Sequence, residues 1–573
     1  MKTFIELTKN LKGDHGNLPN YSVAFLGDSA SQFIVQAIRG LGIDEGLNLN
    51  IWQADFNQIE QQVFDPNSEF YNFQPQIVIL CKSTHNLLNQ YNKISPENQI
   101  DFGNDQLTKM VSLLNTINSN LNTKIICFNY AEIDDAVFGS FSNTVESSFL
   151  FQLRKINFEL MVFASKNQGA FICDISSLQN QIGKQKLFNP VLYVNSEMVF
   201  SIESLPLISS KVLDIIKCIH GKFKKCIILD LDNTMWGGII GDDGIENIQL
   251  GSLGIGKAFT EFQYWIKKLK NRGIIVAVCS KNTESVAKEP FEKHPEMVLR
   301  LNDISVFVAN WENKADNIRY IQGILNIGFD SMVFIDDNPF ERNLVRENIP
   351  EICVPELPED PSEYLEFLYS LNLFETTSFS NLDIERTKQY QVEAERINLQ
   401  KKFANEDEFL NSLDMYSIVE PFNKFNTPRV AQLTQRSNQF NLRTIRYTDL
   451  EISRLSNSDD YFTFTFTLGD KFGDHGLIGI IILKKEDQTS LFIDTWIMSC
   501  RVLKRTMENF VLNTLVKFAL ENNYKLLKGE FISTPKNDIV RNHYQDLGFI
   551  EENEFWILNL ENYQSKKTFI RTN

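Results

Sequence analysis

The chain lacks the features that mark a membrane, secreted or nucleic-acid-binding protein. No apolar run approaches the ~20 residues that span a bilayer, and the start, MKTFIELTKNLKGDHG, has no apolar core like that of a signal peptide. The eight cysteines are scattered without a C-x-x-C pair, which argues against a zinc or disulfide framework and fits a reducing compartment. Acidic residues outnumber basic ones by 73 to 56, so no basic face for nucleic acid is expected. We expect a cytoplasmic protein with no nucleic-acid or membrane partner.

At 573 residues the chain exceeds what one hydrophobic core supports. We detect no internal repeat and no low-complexity tract. Apolar strand-like runs and helical patterns predict α/β folds throughout. We therefore predict three domains, spanning residues 1–205, 215–370 and 371–573.

In the second domain, a short apolar run ends in two closely spaced acids. Cys226 to Leu229 has the pattern of a buried strand, and Asp230, Asp232 and Thr234 follow it as D-x-D-x-T. In open α/β sheets, ligands bind where strands end at their carboxyl edge. One Asp there also serves as a helix N-cap, but this motif over-specifies a cap. Two carboxylates that repel each other favour a bound cation, and Mg²⁺ prefers such oxygen ligands.

Three further strand-like runs of this domain, at 274–279, 305–308 and 332–335, lead to polar residues. Because strands alternating with helices imply a parallel sheet, all these residues are expected on one edge. They are Ser280, Lys281, Asn282, Lys314, Asp336 and Asp337. The motifs are 50, 34 and 22 residues apart (230 to 280, 280 to 314, 314 to 336), which leaves no room for a large cap. The Gly- and Asp-rich stretch from Trp236 to Gly251 is expected to form a loop over the site without a regular element.

This set of side chains makes chemical sense for phosphoryl transfer. Asp230 is the predicted nucleophile toward phosphorus, and Asp232 is the predicted general acid and base. Ser280 and Lys314 are predicted to hold the transferring phosphoryl oxygens. The metal is assigned to the carboxylates of Asp230, Asp336 and Asp337 and the carbonyl of Asp232. The further substrate contacts predicted in this domain are Thr234, Lys281 and Asn282.

These motifs resemble those of the haloacid dehalogenase (HAD) superfamily, and more closely those of FkbH-like proteins of the HAD-IIIC group. The segments that carry the resemblance are LDLDNTMWGG (229–238), AVCSKN (277–282) and FIDDNPFER (334–342). The resemblance implies a HAD-like Rossmannoid core with a minimal cap and a Mg²⁺ cofactor. It extends into the third domain and covers most of the chain.

FkbH-like proteins of polyketide pathways draw on 1,3-bisphosphoglycerate and form glyceryl thioesters on an acyl carrier protein. By this resemblance, Cys279 is the candidate acyl carrier, an acyl phosphate is the substrate, and a carrier-protein thiol is the acceptor. Cys279 also fits a small apolar residue that finishes a strand. Side chains alternate along a strand, so Cys279 and Ser280 are expected to point opposite ways. Two other functions stay open: a plain phosphatase, and a non-catalytic scaffold that binds a carrier protein.

The first domain opens with a strand, residues 21–26, followed by Gly27-Asp28-Ser29. Further strands are predicted at 76–81, 124–128 and 170–173. Gly-Asp-Ser resembles the first block of the SGNH hydrolases, whose serine is a nucleophile. Their late Asp-x-x-His is replaced here by Asp174-Ile175-Ser176-Ser177, and a serine without a base is a poor nucleophile. His85 is the only other candidate base in the core of this domain, and nothing in the sequence ties it to Ser29. We therefore interpret Ser29 as a helix N-terminal residue and predict an SGNH-like but non-catalytic recognition module, with an esterase as the alternative.

The third domain resembles the GNAT acyltransferases and is predicted to be α+β. A long, charged helical stretch from Ile384 to Phe409 is predicted to lead into it. Strands at 461–468, 477–483, 491–498, 524–531 and 555–558 and helices at 507–521 and 538–547 carry the resemblance, with Asn537 and YQDLGF (544–549) as the late motif. Arg501 to Thr506 stands where that fold places its pyrophosphate loop, but it lacks the usual glycines. Arg501 is the predicted contact to a phosphopantetheine or coenzyme A phosphate, alongside Lys504 and Arg505.

Overall fold

The computed structural model describes residues 2–167, 169–379, 390, 392, 396, 399, 403, 405–437, 439–499, 502–503, 505–534 and 536–572. Its contacts divide the chain into two compact units, Met1–Cys218 and Ile219–Asn573. Within the described residues, no helix has both the length and the apolar character needed to cross a membrane.

The first unit is built on a parallel sheet of five strands. These are β1 (Asn20–Gly27), β2 (Asn48–Gln53), β3 (Ile77–Cys81), β4 (Lys124–Phe128) and β5 (Ala170–Cys173), in the order β2-β1-β3-β4-β5. The sequence predicted all of them to within one residue except β2. That strand was missed because its asparagines and glutamine interrupt the apolar pattern, as is common on a sheet edge.

Helices connect these strands. They are α1 (Phe4–Asn10), α2 (Gln32–Asp44), α3 (Ile59–Phe64), α4 (Glu69–Phe73), α5 (Thr84–Tyr91), α6 (Phe102–Asn120), α7 (Phe149–Lys166), α8 (Ile175–Ile182), α9 (Lys184–Leu187), α10 (Pro190–Ser196) and α11 (Leu205–Ile219).

The second unit begins with a parallel sheet of four strands. These are β6 (Cys226–Leu229), β7 (Ile275–Ser280), β8 (Val306–Ala309) and β9 (Met332–Ile335), in the order β8-β7-β6-β9. The helices around it are α12 (Ile240–Asp243), α13 (Gly254–Asn271), α14 (Glu284–Lys293), α15 (Lys314–Leu325), α16 (Pro339–Asn348) and α17 (Tyr364–Leu371). The four predicted strands are confirmed to within one residue, so their carboxyl ends meet at one edge.

Alternation along the buried strands divides the core of this sheet into two layers. Leu229, Val276 and Val278 belong to one cluster, which α13, α14 and α17 cover. Ile228 and Cys279 belong to the other, which α15 and α16 cover. This is the period of two that a strand imposes on its side chains. Because both faces are covered, the strands consist of nearly continuous apolar runs.

The rest of the second unit holds a mixed sheet. Its strands are β10 (Met415–Ser417), β11 (Val419–Glu420), β12 (Tyr461–Asp470), β13 (Gly473–Lys485), β14 (Ser490–Met498), β15 (Leu526–Gly529), β16 (Ile550–Glu552), β17 (Phe555–Asn559) and β18 (Ile570–Thr572). The order is β16-β17-β15-β14-β13-β12-β10-β18, with β11 paired to β12. The pairs β14–β15 and β10–β18 are parallel, and the remaining pairs are antiparallel. Its helices are α18 (Glu406–Ser412), α19 (Thr427–Arg436), α20 (Asp449–Ser456), α21 (Met507–Glu521) and α22 (His543–Asp546).

Two predictions about regular elements were wrong. The loop from Trp236 to Gly251 was expected without a regular element, but it contains α12 and a bridge between Gly237 and Gln249. The helix predicted at 538–547 is instead a 3-10 turn, Asp538–Val540, and the four-residue α22. The long helix predicted from Ile384 to Phe409 lies largely outside the described residues. The GNAT and SGNH resemblances and the three domains stay predictions.

Candidate active site

The carboxyl edge of the sheet β8-β7-β6-β9 holds a buried lysine between two aspartates. Lys314 Nζ lies 2.9 Å from Asp230 Oδ1 and 2.6 Å from Asp336 Oδ2. Asp230 and Asp336 directly follow β6 and β9, Lys314 is the first residue of α15, and all three side chains are buried. A lysine in the first turn of a helix, here α15, opposes the helix dipole. The two carboxylates compensate for that, and they outweigh the effect of burial, so that the pKa of Lys314 is raised.

Three acids at this edge form a potential metal site. One carboxylate oxygen each from Asp230, Asp336 and Asp337 lies within 4.8 Å of the others. Burial and the nearby Asp230 raise the pKa of Asp336 to about 7, against the ion pair with Lys314. Asp230 Oδ1 is buried and, among the described contacts, accepts no hydrogen bond of good geometry in spite of its proximity to Lys314. Such a cluster of carboxylate oxygens fits a hard divalent cation, a class that includes Mg²⁺.

Asp232 is held by three donors and stands apart from this acid cluster. Its Oδ1 accepts hydrogen bonds from the Trp236 indole and the Ile240 amide, both at 3.0 Å, and its Oδ2 accepts one from Asn282 Nδ2 at 3.0 Å. Burial raises the pKa of Asp232 against these hydrogen bonds. A carboxyl that is fixed in place and has a raised pKa suits proton transfer. Its predicted contribution to the metal was its backbone carbonyl, and that stays a prediction.

Thr234 and Ser280 complete the edge. The Thr234 hydroxyl accepts from the Asp337 amide at 3.1 Å and lies 3.3 Å from Asp337 Oδ1. Thr234 therefore stabilises the loop that bears Asp336 and Asp337, called the acid loop below. Its predicted contact with substrate stays a prediction. Ser280 is the last residue of β7 and is buried, and its carbonyl accepts from Asn310 N at 3.2 Å.

Cys279 lies one residue before Ser280 but belongs to the layer packed under α15 and α16. Its Sγ is buried, 3.7 Å from the Lys314 carbonyl oxygen. Burial is the main cause that raises the pKa of this thiol. Val278 belongs to the opposite layer, so side chains alternate along β7 up to Cys279, and the direction of the Ser280 side chain relative to the thiol stays a prediction.

Two residues of this edge were missed as site residues although they stand in the third FkbH-like segment. Glu341 Oε1 accepts a hydrogen bond from Lys281 Nζ at 2.6 Å. Arg342 Nη1 donates to the carbonyl oxygens of Asp336 and Asp337 at 2.9 and 2.6 Å. The helix phase of α16 places them here, and only the DDNPFER pattern signals them in the sequence.

Arg501 and Lys504, the predicted phosphate contacts of the third domain, lie outside the described residues. Arg505 is described and buried. Its Nη1 lies 3.0 Å from His475 Nε2 and 3.5 Å from Asp470 Oδ2.

In the first unit, the residues around the Gly-Asp-Ser segment make structural contacts. Asp28 Oδ1 accepts from Ser83 N at 2.8 Å, and burial raises the pKa of Asp28 to about 6. Asp174 caps α8 by accepting from Ser177 N at 2.9 Å. His85 packs on Phe188 and Tyr193, and no described contact joins it to Ser29.

Comparison with known proteins finds one matching family model and several similar solved structures. Residues 22–217 match the family described as FkbH, N-terminal domain, and among curated proteins none matches the chain. The crystallised N-terminal part of BF1531 from Bacteroides fragilis, which contains a phosphatase domain and was complexed with Mg, is 55% identical, with a TM-score of 0.64. That match covers 66% of this chain and all of the other. Ribosomal-protein-S18-alanine N-acetyltransferase from Escherichia coli also matches, at 12% identity over 26% of this chain and 99% of that one, but its TM-score of 0.21 supports no argument. Identity at this level over the whole crystallised part of BF1531 shows that the chain belongs to the same protein family and carries an FkbH N-terminal domain in its first unit.

Proposed function

We propose that the second unit catalyses Mg²⁺-dependent phosphoryl transfer of the HAD type. The observation that carries this proposal is the buried Lys314 ammonium between Asp230 and Asp336, with Asp337 completing a triad of acids. The relative BF1531, whose crystallised part contains a phosphatase domain complexed with Mg, supports both the reaction class and the metal.

In the proposed mechanism, an Asp230 carboxylate oxygen attacks phosphorus and the bond to the leaving oxygen breaks. Asp232 donates the proton that the leaving group takes up. The same residue then accepts a proton from the water that hydrolyses the aspartyl phosphate, which releases inorganic phosphate and restores Asp230. Lys314 and Ser280 hold the phosphoryl oxygens as charge moves onto them. Mg²⁺, held by Asp230, Asp336 and Asp337, supplies charge neutralisation when it is bound.

The finer proposal adds acyl transfer. For a substrate with an acyl phosphate and a phosphate ester, such as 1,3-bisphosphoglycerate, a thiolate attacks the carbonyl carbon and inorganic phosphate leaves. A thioester remains, and Asp230 removes the ester phosphate. We propose the phosphopantetheine thiol of an acyl carrier protein as the final acceptor, with Arg501 of the third domain near its phosphate. This part rests on the resemblance to FkbH-like proteins of polyketide pathways.

Cys279 is the proposed first acyl carrier, and its burial sets a condition on that role. The thiol must reach the substrate side of β7 and lose its proton, because the thiolate is the reactive form. Its present position in the layer under α15 favours the alternative, a plain phosphatase in which Cys279 is structural.

Intact-protein mass spectrometry after incubation with Mg²⁺ and 1,3-bisphosphoglycerate separates these functions, with phosphate release followed in parallel. Acyl transfer predicts a thioester adduct on the parent and on Cys226→Ala, a control cysteine of the same core layer, and none on Cys279→Ala. Phosphate release without an adduct on any variant leaves the phosphatase and rejects acyl transfer through Cys279. Release that continues unchanged in Asp230→Asn rejects the proposed nucleophile.

A further inference from the structure

The first turn of α16 carries two buried charged residues in succession. Glu341 and Arg342 follow the metal-site acids by a few residues, and less than a tenth of each is exposed. Buried charges of this kind persist when they have specific partners. Their partners lie on opposite sides of the site.

Arg342 binds the backbone of the acid loop. Its Nη1 donates to the carbonyl oxygens of both Asp336 and Asp337, at 2.9 and 2.6 Å. The outer side of the guanidinium contacts Glu356, with Nε and Nη2 at 3.0 and 2.9 Å from Oε2. Arg342 thus holds the backbone carbonyl groups of the same two residues whose carboxylates belong to the acid cluster.

Glu341 binds the other side of the site. Its Oε1 accepts from Lys281 Nζ at 2.6 Å, and Lys281 directly follows Ser280 at the end of β7. The second oxygen of Glu341 is buried and accepts no hydrogen bond among the described contacts. The Lys281 side chain is 36% exposed while that of Glu341 is 8% exposed, so the buried member fixes the exposed one.

We propose that Glu341 and Arg342 are positioning residues with separate tasks. Arg342 orients the loop that bears Asp336 and Asp337 toward the metal, and Glu341 orients Lys281 toward the anionic substrate. Because Glu341 and Arg342 lie in one helical turn, they fix the metal ligands and a substrate contact relative to each other. The inference rests on the proposed function, in which that loop binds Mg²⁺ and Lys281 contacts substrate.

Binding measured by calorimetry tests the two tasks without turnover. Mg²⁺ is titrated into each purified full-length variant, and inorganic phosphate, the expected product, is titrated in saturating Mg²⁺. Arg342→Met is expected to weaken Mg²⁺ binding by about 10-fold to 100-fold, the usual effect of losing a partner that orients metal ligands. Arg342→Lys keeps one charged donor and is expected to recover part of the loss. Glu356→Gln, which leaves both carbonyl contacts in place, is expected to bind Mg²⁺ within about twofold of the parent.

Glu341→Gln keeps the shape of the side chain and is expected to weaken phosphate binding by about 10-fold, with Mg²⁺ binding within about twofold of the parent. Lys281→Met is expected to do the same. The double variant is expected to be no weaker than Lys281→Met alone, because residues that act through one contact are not additive.

Four outcomes overturn the inference: unchanged Mg²⁺ binding in Arg342→Met, unchanged or tighter phosphate binding in Glu341→Gln, equal loss of both ligands in Glu341→Gln, or additive effects in the double variant. Thermal unfolding of each variant without ligand shows whether it is folded. Where Arg342→Met is unfolded, Mg²⁺ binding by Arg342→Lys is compared with that of the parent, and unchanged binding overturns the inference. A parent chain that binds neither Mg²⁺ nor phosphate instead refutes the proposed function, and so the two failures are distinguishable.

Discussion

Replacement of Lys314 by Met is expected to destabilise the parallel sheet of the second unit. The Lys314 side chain is 3% exposed, and its ammonium contacts two buried carboxylates at 2.9 and 2.6 Å. Methionine fills a similar volume but leaves the carboxylates facing each other without a cation. Removal of one partner from a buried ion pair costs about 3–5 kcal/mol. The entropy of unfolding is about 2.1 cal/mol/K per residue, so over the unit Ile219–Asn573 a loss of that size lowers Tm by about 4–7 °C.

The assay is thermal and urea unfolding of parent and Lys314→Met in EDTA at pH 7.5, followed by tryptophan fluorescence. Lys293→Met is the matched control. Lys293 also pairs with a carboxylate, Glu289 Oε1 at 3.0 Å, but its side chain is 61% exposed, so its loss is expected to cost less than about 0.5 kcal/mol. The destabilisation by Lys314→Met should shrink at pH 5.5, because protonation of the carboxylates relieves their repulsion. A loss below about 1 kcal/mol at pH 7.5 contradicts a stabilising role of this ion-pair network.

Two further predictions concern the mixed sheet of the second unit. Burial lowers the pKa of His543 to about 3, so the unfolded chain binds a proton that the folded chain does not. The contribution of His543 to stability is therefore complete above about pH 6.5 and declines as the pH falls, by about 2 kcal/mol at pH 5. In urea unfolding, His543→Leu should lack this loss of stability at low pH. An equal pH dependence in parent and variant contradicts the lowered pKa of His543. Asp470 is buried beside Arg396 and Arg505, and its Oδ2 lies 2.7 Å from Arg396 Nε. Burial raises the pKa of Asp470, but hydrogen bonds from His475 and Arg396 outweigh burial and lower this pKa overall. Asp470→Asn is expected to lower the free energy of unfolding by about 3 kcal/mol in urea. The loss should be constant from pH 7 down to about pH 4.5 and smaller below the unfolded pKa near 3.9. A loss that already disappears at pH 6 contradicts the lowered pKa of Asp470.

The composition of the candidate site at the sheet edge was predictable because its signal is local. Each run of four to six apolar residues predicts a strand, and alternation with helices predicts parallel order. Parallel order then brings the ends of β6, β7, β8 and β9 together without any knowledge of side-chain contacts. The meeting of Asp230, Lys314 and Asp336 followed from these rules.

The partners that orient these residues were not predictable in the same way. The hydrogen bond between Glu341 and Lys281 joins positions 60 residues apart, and the contacts of Arg342 depend on the rotation of α16. Neither the strand pattern nor the motif spacing fixes that rotation. Likewise, β2, β10, β11, β16 and β18 were missed, since short or polar edge strands depend on their neighbours more than on their own propensity.

Lys314 follows β8, one edge strand of the sheet, and its side chain ends against Asp336, which follows β9 at the opposite edge. The contact therefore exists only when all four strands have assembled. During synthesis β9 emerges last, so until then the lysine and Asp230 lack their third member. A chain that ends before β9 therefore lacks Asp336, and the ion-pair network around Lys314 can form only on a complete sheet.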